Sequence, residues 1–133
     1  MAALAREVAT YVDTRRKVLL VDDDAAILQL FEIVLTTHGF SVTAATGGGA
    51  AADFHARLGS VDLLITDIDM PGQSGIDLAA YLVKRQPNLP VLFITGGQYQ
   101  LASSASNSRR GLLQKPFGAK ALLASIDQVL ALC

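Results

Sequence analysis

The chain has 133 residues with 12 acidic and 11 basic side chains, and its net charge of −1 argues against the basic surface needed for direct nucleic-acid binding. Hydrophobic residues make up 51% of the chain and charged residues only 17%, which excludes a disordered chain and predicts one domain with a substantial core. No long apolar span or basic amphipathic helix points to a membrane. The single cysteine, Cys133, cannot form an internal disulfide, so we expect a reducing compartment, the cytoplasm.

Five short apolar segments are expected to form the strands of one sheet. Nearly continuous runs of valine, leucine and isoleucine are typical of strands buried on both faces of a parallel sheet. The second segment alternates apolar and polar residues, which predicts a half-buried strand. The segments are Val18–Val21, Phe40–Ala44, Val61–Thr66, Val91–Thr95 and Leu112–Leu113.

Helical patterns follow the strands. The first helix is expected after Asp24, a favoured N-cap residue, and before Gly39. Its apolar stripe consists of Ile27, Leu30, Phe31, Val34 and Leu35. Three more helices are predicted at Ala50–Leu58, Ser74–Arg85 and Ala119–Leu132, with Leu58 of the second and Ile76 of the third on apolar faces. The serine-rich segment Gly96–Arg110 has poor apolar spacing and predicts only a short or frayed helix.

This order of elements predicts an α/β fold. A strand–helix unit repeated five times indicates a parallel five-stranded sheet covered on both faces, and right-handed crossovers favour a flavodoxin-like (βα)5 three-layer sandwich with strand order 2-1-3-4-5. Residues 17–133 are expected to form this domain. Residues 1–16 form an N-terminal extension in which Ala2–Val12 predicts an amphipathic helix, packed on the domain or against another chain.

Polar residues gather where the predicted strands end. The carboxyl ends of parallel strands meet at one edge of the sheet, which is where ligands bind in open α/β folds. Two carboxylates about 4 Å apart repel by roughly 4 kcal/mol at an effective dielectric near 20, so the cluster calls for a cation. Hard oxygen ligands suit Mg²⁺. The set consists of Asp22, Asp23, Asp24, Asp67, Asp69, Thr95 and Lys115.

Such a set suits phosphoryl transfer. A carboxylate beside the metal can attack phosphorus and become an acyl phosphate, while a hydroxyl and a lysine neutralise the transferring group. Within the set, we expect Asp24 to be a helix N-cap rather than a ligand. The Asp69 side chain is expected in a surface turn. Outside the set, His38 and His55 are expected at exposed structural positions, and Arg109–Arg110 as a solvated pair.

Four motifs in this order resemble the receiver domain of two-component response regulators. They are VLLVDDD, DLLITDIDMPGQSG, LPVLFITG and LLQKPF, and the resemblance covers about Lys17 to Leu132. Each motif alone is weak, but four in the right order on five strand–helix units are specific. The last motif also resembles receivers attached to hybrid histidine kinases, so a stand-alone receiver and an excised one both remain open.

The resemblance implies a role for each site residue. Asp67 would accept a phosphoryl group, with Thr95 hydrogen-bonded to that group and Lys115 paired with it. Lys115–Pro116 would be a cis peptide. The Mg²⁺ ligands would be Asp23 directly, Asp22 through water, Asp67, and the backbone carbonyl of Asp69.

The resemblance also implies partners. The phosphoryl donor would be a histidine kinase or a histidine phosphotransfer protein, and the output would be a protein contact with a downstream target, with homodimer formation possible. The chain would not be a conventional enzyme, but Mg²⁺-dependent self-phosphorylation from small phosphodonors and autodephosphorylation are expected. The sequence departs from the family at Leu112, three residues before Lys115, where an aromatic switch residue is usual.

Two other functions stay open. Leu112 and the unusual segment after Thr95 slightly favour a receiver-like interaction module that is never phosphorylated. Asp67-Ile68-Asp69 also resembles the nucleophile and acid pair of haloacid dehalogenase-type phosphatases. That pair usually ends the first strand of its fold, whereas here it follows the third predicted strand.

Overall fold

Five strands form one parallel sheet in the order that the sequence predicts. The computed structural model describes residues 13–97 and 109–131. Neighbouring strands run in the order β2-β1-β3-β4-β5, and every pair is parallel. The strands are β1 Lys17–Val21, β2 Ser41–Ala45, β3 Leu63–Asp67, β4 Val91–Thr95 and β5 Arg110–Gln114.

Four helices in the described residues cover the sheet. They are α1 Ala25–Thr37, α2 Gly48–Leu58, α3 Gly75–Arg85 and α4 Ala119–Ala131. The helix predicted at Ala2–Val12 and most of Gly96–Arg110 lie outside the described residues, so those two predictions stay predictions. None of the helices in the described ranges has the length and apolar character needed to cross a membrane.

The sheet separates two hydrophobic clusters, because neighbouring side chains of a strand point to opposite faces. On one face, Leu19 and Phe93 pack with the buried residues of α2 and α3. On the other face, Leu20 and Ile65 pack with those of α1 and α4. β3 and β4 are buried along their whole length, as their uninterrupted apolar sequences predict.

Side-chain caps and glycines mark the helix ends. Asp24 caps α1 by accepting hydrogen bonds from the amides of Ala26 and Ile27, at 3.0 and 3.3 Å, which confirms its predicted role. Gly39 lies just beyond the end of α1 with φ of +90°, a conformation that favours glycine, as predicted. α2 begins at Gly48, two residues before the predicted start.

The predicted apolar faces of three helices are partly wrong. In α1, Leu28 is buried and Leu30 is 57% exposed, so the core-facing stripe runs through Leu28, Phe31 and Leu35. Leu58 and Ile76 are also exposed, at 37% and 41%. Apolar residues occur on more than one face of these helices, and only packing against the sheet decides which face is buried.

A buried polar contact corrects two further predictions. His55 is 2% exposed rather than at the surface, and its Nε2 lies 3.0 Å from Oε1 of Gln86. The Gln86 amide also accepts from the N–H of Val61 at 3.2 Å and donates to its carbonyl at 2.7 Å. Because these bonds occupy the Val61 backbone, β3 begins at Leu63 and not at Val61.

The arginine pair at the start of β5 is not fully solvated, contrary to the prediction. Arg109 and Arg110 are both only partly exposed. The Arg110 guanidinium lies 5.8 Å from the ring centroid of Phe93, and its Nε is buried with no hydrogen-bond partner in the described residues. The Lys115–Pro116 peptide is cis, as the resemblance implies.

Candidate functional site

The sheet brings the predicted carboxylates to one edge. Asp22 and Asp23 follow β1, and Asp67 is the last residue of β3. Since β1 and β3 are parallel neighbours, their carboxyl ends lie side by side. Each of the three aspartates offers a carboxylate oxygen within 4.8 Å of the other two. The structure thus assembles the acidic cluster from two distant segments.

Burial changes the ionisation of two of these aspartates. Asp22 and Asp67 are 2% and 5% exposed, whereas Asp23 faces solvent. Desolvation is the largest cause that raises the pKa of both buried carboxyl groups, and neighbouring carboxylates raise it further. The N–H groups of Asp24 and Asp69, together with the Lys115 ammonium, oppose the rise but do not cancel it.

Lys115 is the cation of the cluster. It follows β5, and its Nζ lies 3.5 Å from Oδ2 of Asp67 and 3.7 Å from Oδ2 of Asp22. When all three aspartates are ionised, one ammonium leaves an excess of negative charge at a largely buried place. The cationic side chains of the described residues therefore do not neutralise the cluster by themselves.

The arrangement fits a bound divalent cation. Oδ2 of Asp22 is buried and has no hydrogen-bond partner among the described residues, although such atoms are normally satisfied. Oxygen atoms of Asp22, Asp23 and Asp67 converge beside it. Mg²⁺ prefers carboxylate and water oxygens, and it tolerates an open site that leaves room for phosphate oxygens.

Thr95 and Asp69 meet next to this cluster. Thr95 is fully buried at the end of β4, whose residue Ile94 pairs with Asp67 of β3. Its hydroxyl donates to Oδ2 of Asp69 at 3.4 Å and accepts from the N–H of Gly97 at 2.9 Å. Asp69 is exposed, as predicted for a turn residue, but the contact of its side chain with Thr95 was not predicted. No sequence signal could have found this contact, because it depends on the path of the loop after β3.

Comparisons with known proteins agree with this geometry. The model of the response regulator receiver domain family matches residues 18–127. The chain belongs to this family. Receiver domains are the phosphoacceptor modules of two-component signalling, so the resemblance seen in the four motifs is confirmed, and the haloacid dehalogenase alternative is wrong.

Two curated relatives show how the chain compares in length. It is 34% identical over 117 residues to chemotaxis protein CheY of Pseudomonas aeruginosa, a match that covers 85% of this chain and 94% of CheY. It is 35% identical over 115 residues to the transcriptional regulatory protein GlrR of Escherichia coli, covering 84% of this chain but 26% of GlrR. The chain thus spans nearly all of CheY and about a quarter of GlrR.

Solved structures share the fold. The response regulator TrrA of Thermotoga maritima in complex with Mg²⁺-BeF has a TM-score of 0.73 and 27% identity, covering 86% of this chain and 99% of TrrA. A second structure contains TrrA in complex with the histidine kinase ThkA, with a TM-score of 0.74, 27% identity, and coverage of 86% of this chain and 98% of the other.

Proposed function

We propose that Asp67 accepts a phosphoryl group from a phosphohistidine of a histidine kinase or a histidine phosphotransfer protein. The observation that carries this proposal is the convergence of three carboxylates and one ammonium at the end of β3, with Asp67 Oδ2 3.5 Å from Lys115 Nζ. The family assignment supports it independently. The complex of the similar protein TrrA with a histidine kinase supports the class of donor.

The chemistry is an exchange at phosphorus. A carboxylate oxygen of Asp67 attacks the phosphorus atom, the bond from phosphorus to the donor imidazole nitrogen breaks, and the imidazole takes a proton from solvent. The product is an acyl phosphate on Asp67. Asp67 is 5% exposed, so its carboxylate has little hydration to lose before it attacks phosphorus.

Lys115 and Thr95 have complementary roles in this proposal. The Lys115 ammonium already contacts Asp67, so it is placed to pair with a phosphoryl oxygen once the carboxylate becomes an acyl phosphate. Thr95 is the last residue of the neighbouring strand β4, and its hydroxyl is the donor that we assign to another phosphoryl oxygen. Both groups would stabilise charge on the oxygens of the transferring group.

We propose Mg²⁺ as the metal. Asp22, Asp23, Asp67 and the backbone carbonyl of Asp69 would hold it, with Asp22 acting through a water molecule. When bound, Mg²⁺ supplies positive charge that offsets the carboxylates and the phosphoryl oxygens. The buried Oδ2 of Asp22, which has no hydrogen-bond partner among the described residues, supports a cation at this place, and the Mg²⁺-BeF complex of TrrA supports the identity of the ion.

The output we propose is a changed protein contact. β5 carries Leu112, a half-buried residue that packs on the cluster containing Phe93. A leucine can repack but has no hydroxyl, so any switching at this position relies on apolar contacts alone. The downstream protein, and a second copy of this chain as an alternative partner, would recognise that repacked surface.

Intact-mass spectrometry after treatment with acetyl phosphate and Mg²⁺ tests the function. We expect a labile phosphate adduct on the wild-type protein, and none on Asp67→Asn or after addition of EDTA. Asp53→Asn, an exposed substitution on α2, is the matched control and should be labelled like the wild type.

A contrary result would point to the other open function. If the wild-type chain stays unmodified under conditions that label a known receiver, the phosphoacceptor role fails. The chain would then be a receiver-like interaction module that works without phosphate.

A further inference from the structure

The Thr95 hydroxyl already has two hydrogen-bond partners in this structure. A hydroxyl has one proton to donate, and Thr95 gives it to Oδ2 of Asp69 at 3.4 Å. Its oxygen accepts the N–H of Gly97 at 2.9 Å. The donor that the proposed function assigns to a phosphoryl group on Asp67 is therefore held elsewhere, so Thr95 has to change partners.

We propose that Asp69 is a positioning residue for Thr95, because its carboxylate holds the hydroxyl until a phosphoryl group on Asp67 competes for it. This inference rests on the proposed function and adds a role for the side chain of Asp69, a residue of which only the backbone carbonyl is proposed as a metal ligand. Asp69 also places a negative charge on the loop beside Asp67, where an anionic donor has to approach.

The exchange would reach the segment after β4. Thr95 is fully buried and has little freedom to move as a whole, so its hydroxyl changes partner by rotation of the side chain. That rotation moves Oγ1 of Thr95 away from the Gly97 N–H, which then loses its acceptor. The Gly97 carbonyl in turn accepts from Nε2 of Gln114 at 3.2 Å, and Gln114 immediately precedes Lys115. Asp69, Thr95 and Gly97 thus form one chain of contacts that ends on β5.

A double-mutant cycle on phosphorylation rate tests the positioning role. We expect Asp69→Ala to raise the rate of Asp67 phosphorylation by acetyl phosphate about three- to tenfold, because it frees the Thr95 hydroxyl from a charged acceptor. In a Thr95→Ala background, the same substitution should change the rate less than about twofold. Thr95→Ser keeps the hydroxyl and should restore the full effect.

The double-mutant cycle distinguishes positioning of the Thr95 hydroxyl by Asp69 from a direct effect of the Asp69 charge on the rate. Asp53→Ala removes one negative charge from an exposed position on α2 and should leave the rate unchanged. If Asp69→Ala has its full effect even without the Thr95 hydroxyl, Asp69 acts by its charge alone and the positioning role is wrong.

A spectroscopic measurement reads the contact without phosphate. In the ¹H–¹⁵N spectrum of the unphosphorylated protein, Asp69→Ala should shift the Gly97 amide signal, and this shift should disappear in the Thr95→Ala background. An unmoved Gly97 signal would overturn the inference. Absence of labelling in the wild type would instead overturn the proposed function, while this spectrum still reports on the contact between Asp69 and Thr95.

Discussion

Three consecutive aspartates have three different environments. Asp22 is buried against Lys115, Asp23 faces solvent beside it, and Asp24 caps α1. The residue type is the same, and the differences come from the turn that joins β1 to α1. The N–H of Asp24 donates to Oδ1 of Asp22 at 2.9 Å, so the helix cap and the proposed metal ligand stabilise one another.

The raised pKa values predict a pH dependence of stability. A group that is easier to protonate in the folded protein contributes stability below its ordinary pKa of 3.8, and this contribution is lost as pH rises through the raised folded value. In metal-free buffer, we therefore expect Asp22→Asn and Asp67→Asn to become more stable relative to the wild type as pH rises from about 4. The slope reaches at most about 1.4 kcal/mol per pH unit for each group.

Urea denaturation at several pH values measures this difference. Asp53→Asn is the control, because Asp53 lies exposed on α2 and should show no such trend. A stability difference that stays constant from acidic to neutral pH would contradict the assignment of unfavourable burial to Asp22 and Asp67.

At the scale of elements, the close approach of α3 to β3 depends on Gly75. The N–H of Gly75 donates to the carbonyl of Ile68 at 2.9 Å. A Cβ at this position would collide with the carbonyl oxygen of Asp67 and lie 2.9 Å from Oγ1 of Thr66. The absence of a side chain lets the first turn of α3 lie directly against the strand end that carries Asp67.

We expect Gly75→Ala to lower the free energy of unfolding by about 1–3 kcal/mol, because the added methyl overpacks rigid backbone. The matched control is Gly49→Ala in the first turn of α2, where a Cβ would meet nothing within 4 Å. That change should raise stability by about 0.5–1 kcal/mol. Urea denaturation compares the two, and equal effects would contradict the close approach.

A second element-scale prediction concerns Gln86, whose side chain joins the end of α3 to the segment before β3. Gln86→Leu would leave the Val61 backbone groups and the His55 ring without their partner, at a cost of roughly 1–3 kcal/mol for each buried unpaired group. Gln29→Leu, at an exposed position on α1, is the control. Thermal unfolding measures the loss.

We expect added Mg²⁺ to stabilise the Gln86→Leu variant as it stabilises the wild type. The substitution acts at Val61, before the start of β3, whereas the proposed metal ligand Asp67 lies at the end of β3. If Gln86→Leu instead unfolded no more easily than Gln29→Leu, the polar contact would not contribute to stability in solution.

At the scale of the whole molecule, the acidic cluster links metal binding to folding. Asp22, Asp23 and Asp67 come together only in the folded chain, so a cation bound there stabilises the folded state over the unfolded one. We expect Mg²⁺ at one hundred times its dissociation constant to stabilise the wild type by about 2.7 kcal/mol. Thermal unfolding with increasing MgCl₂ should show a rising midpoint.

The same titration on two variants locates the ion. Asp23→Asn should lose most of the response, whereas Asp53→Asn should keep it. A midpoint that does not depend on Mg²⁺ in the wild type would remove the metal from the proposed mechanism.

Strand order, the number of strands and the acidic set were predictable from the sequence. Period and composition determine which segments form strands, and the rule for parallel sheets then places the ends of β1, β3, β4 and β5 at one edge. Asp24 as N-cap and Gly39 after α1 were predictable for the same reason, since both depend on neighbouring residues alone.

Helix rotation and the polar contacts between segments were not predictable. Leu28 and Leu30 are equally apolar in sequence, and only the sheet decides which of them is buried. The contact of His55 with Gln86 and the contact of Thr95 with Asp69 join residues 31 and 26 positions apart. The sequence determined this protein's topology and chemical class because those depend on local pattern. The tertiary structure alone decided burial, pairing and partner choice, because these depend on distances between segments that no local pattern specifies.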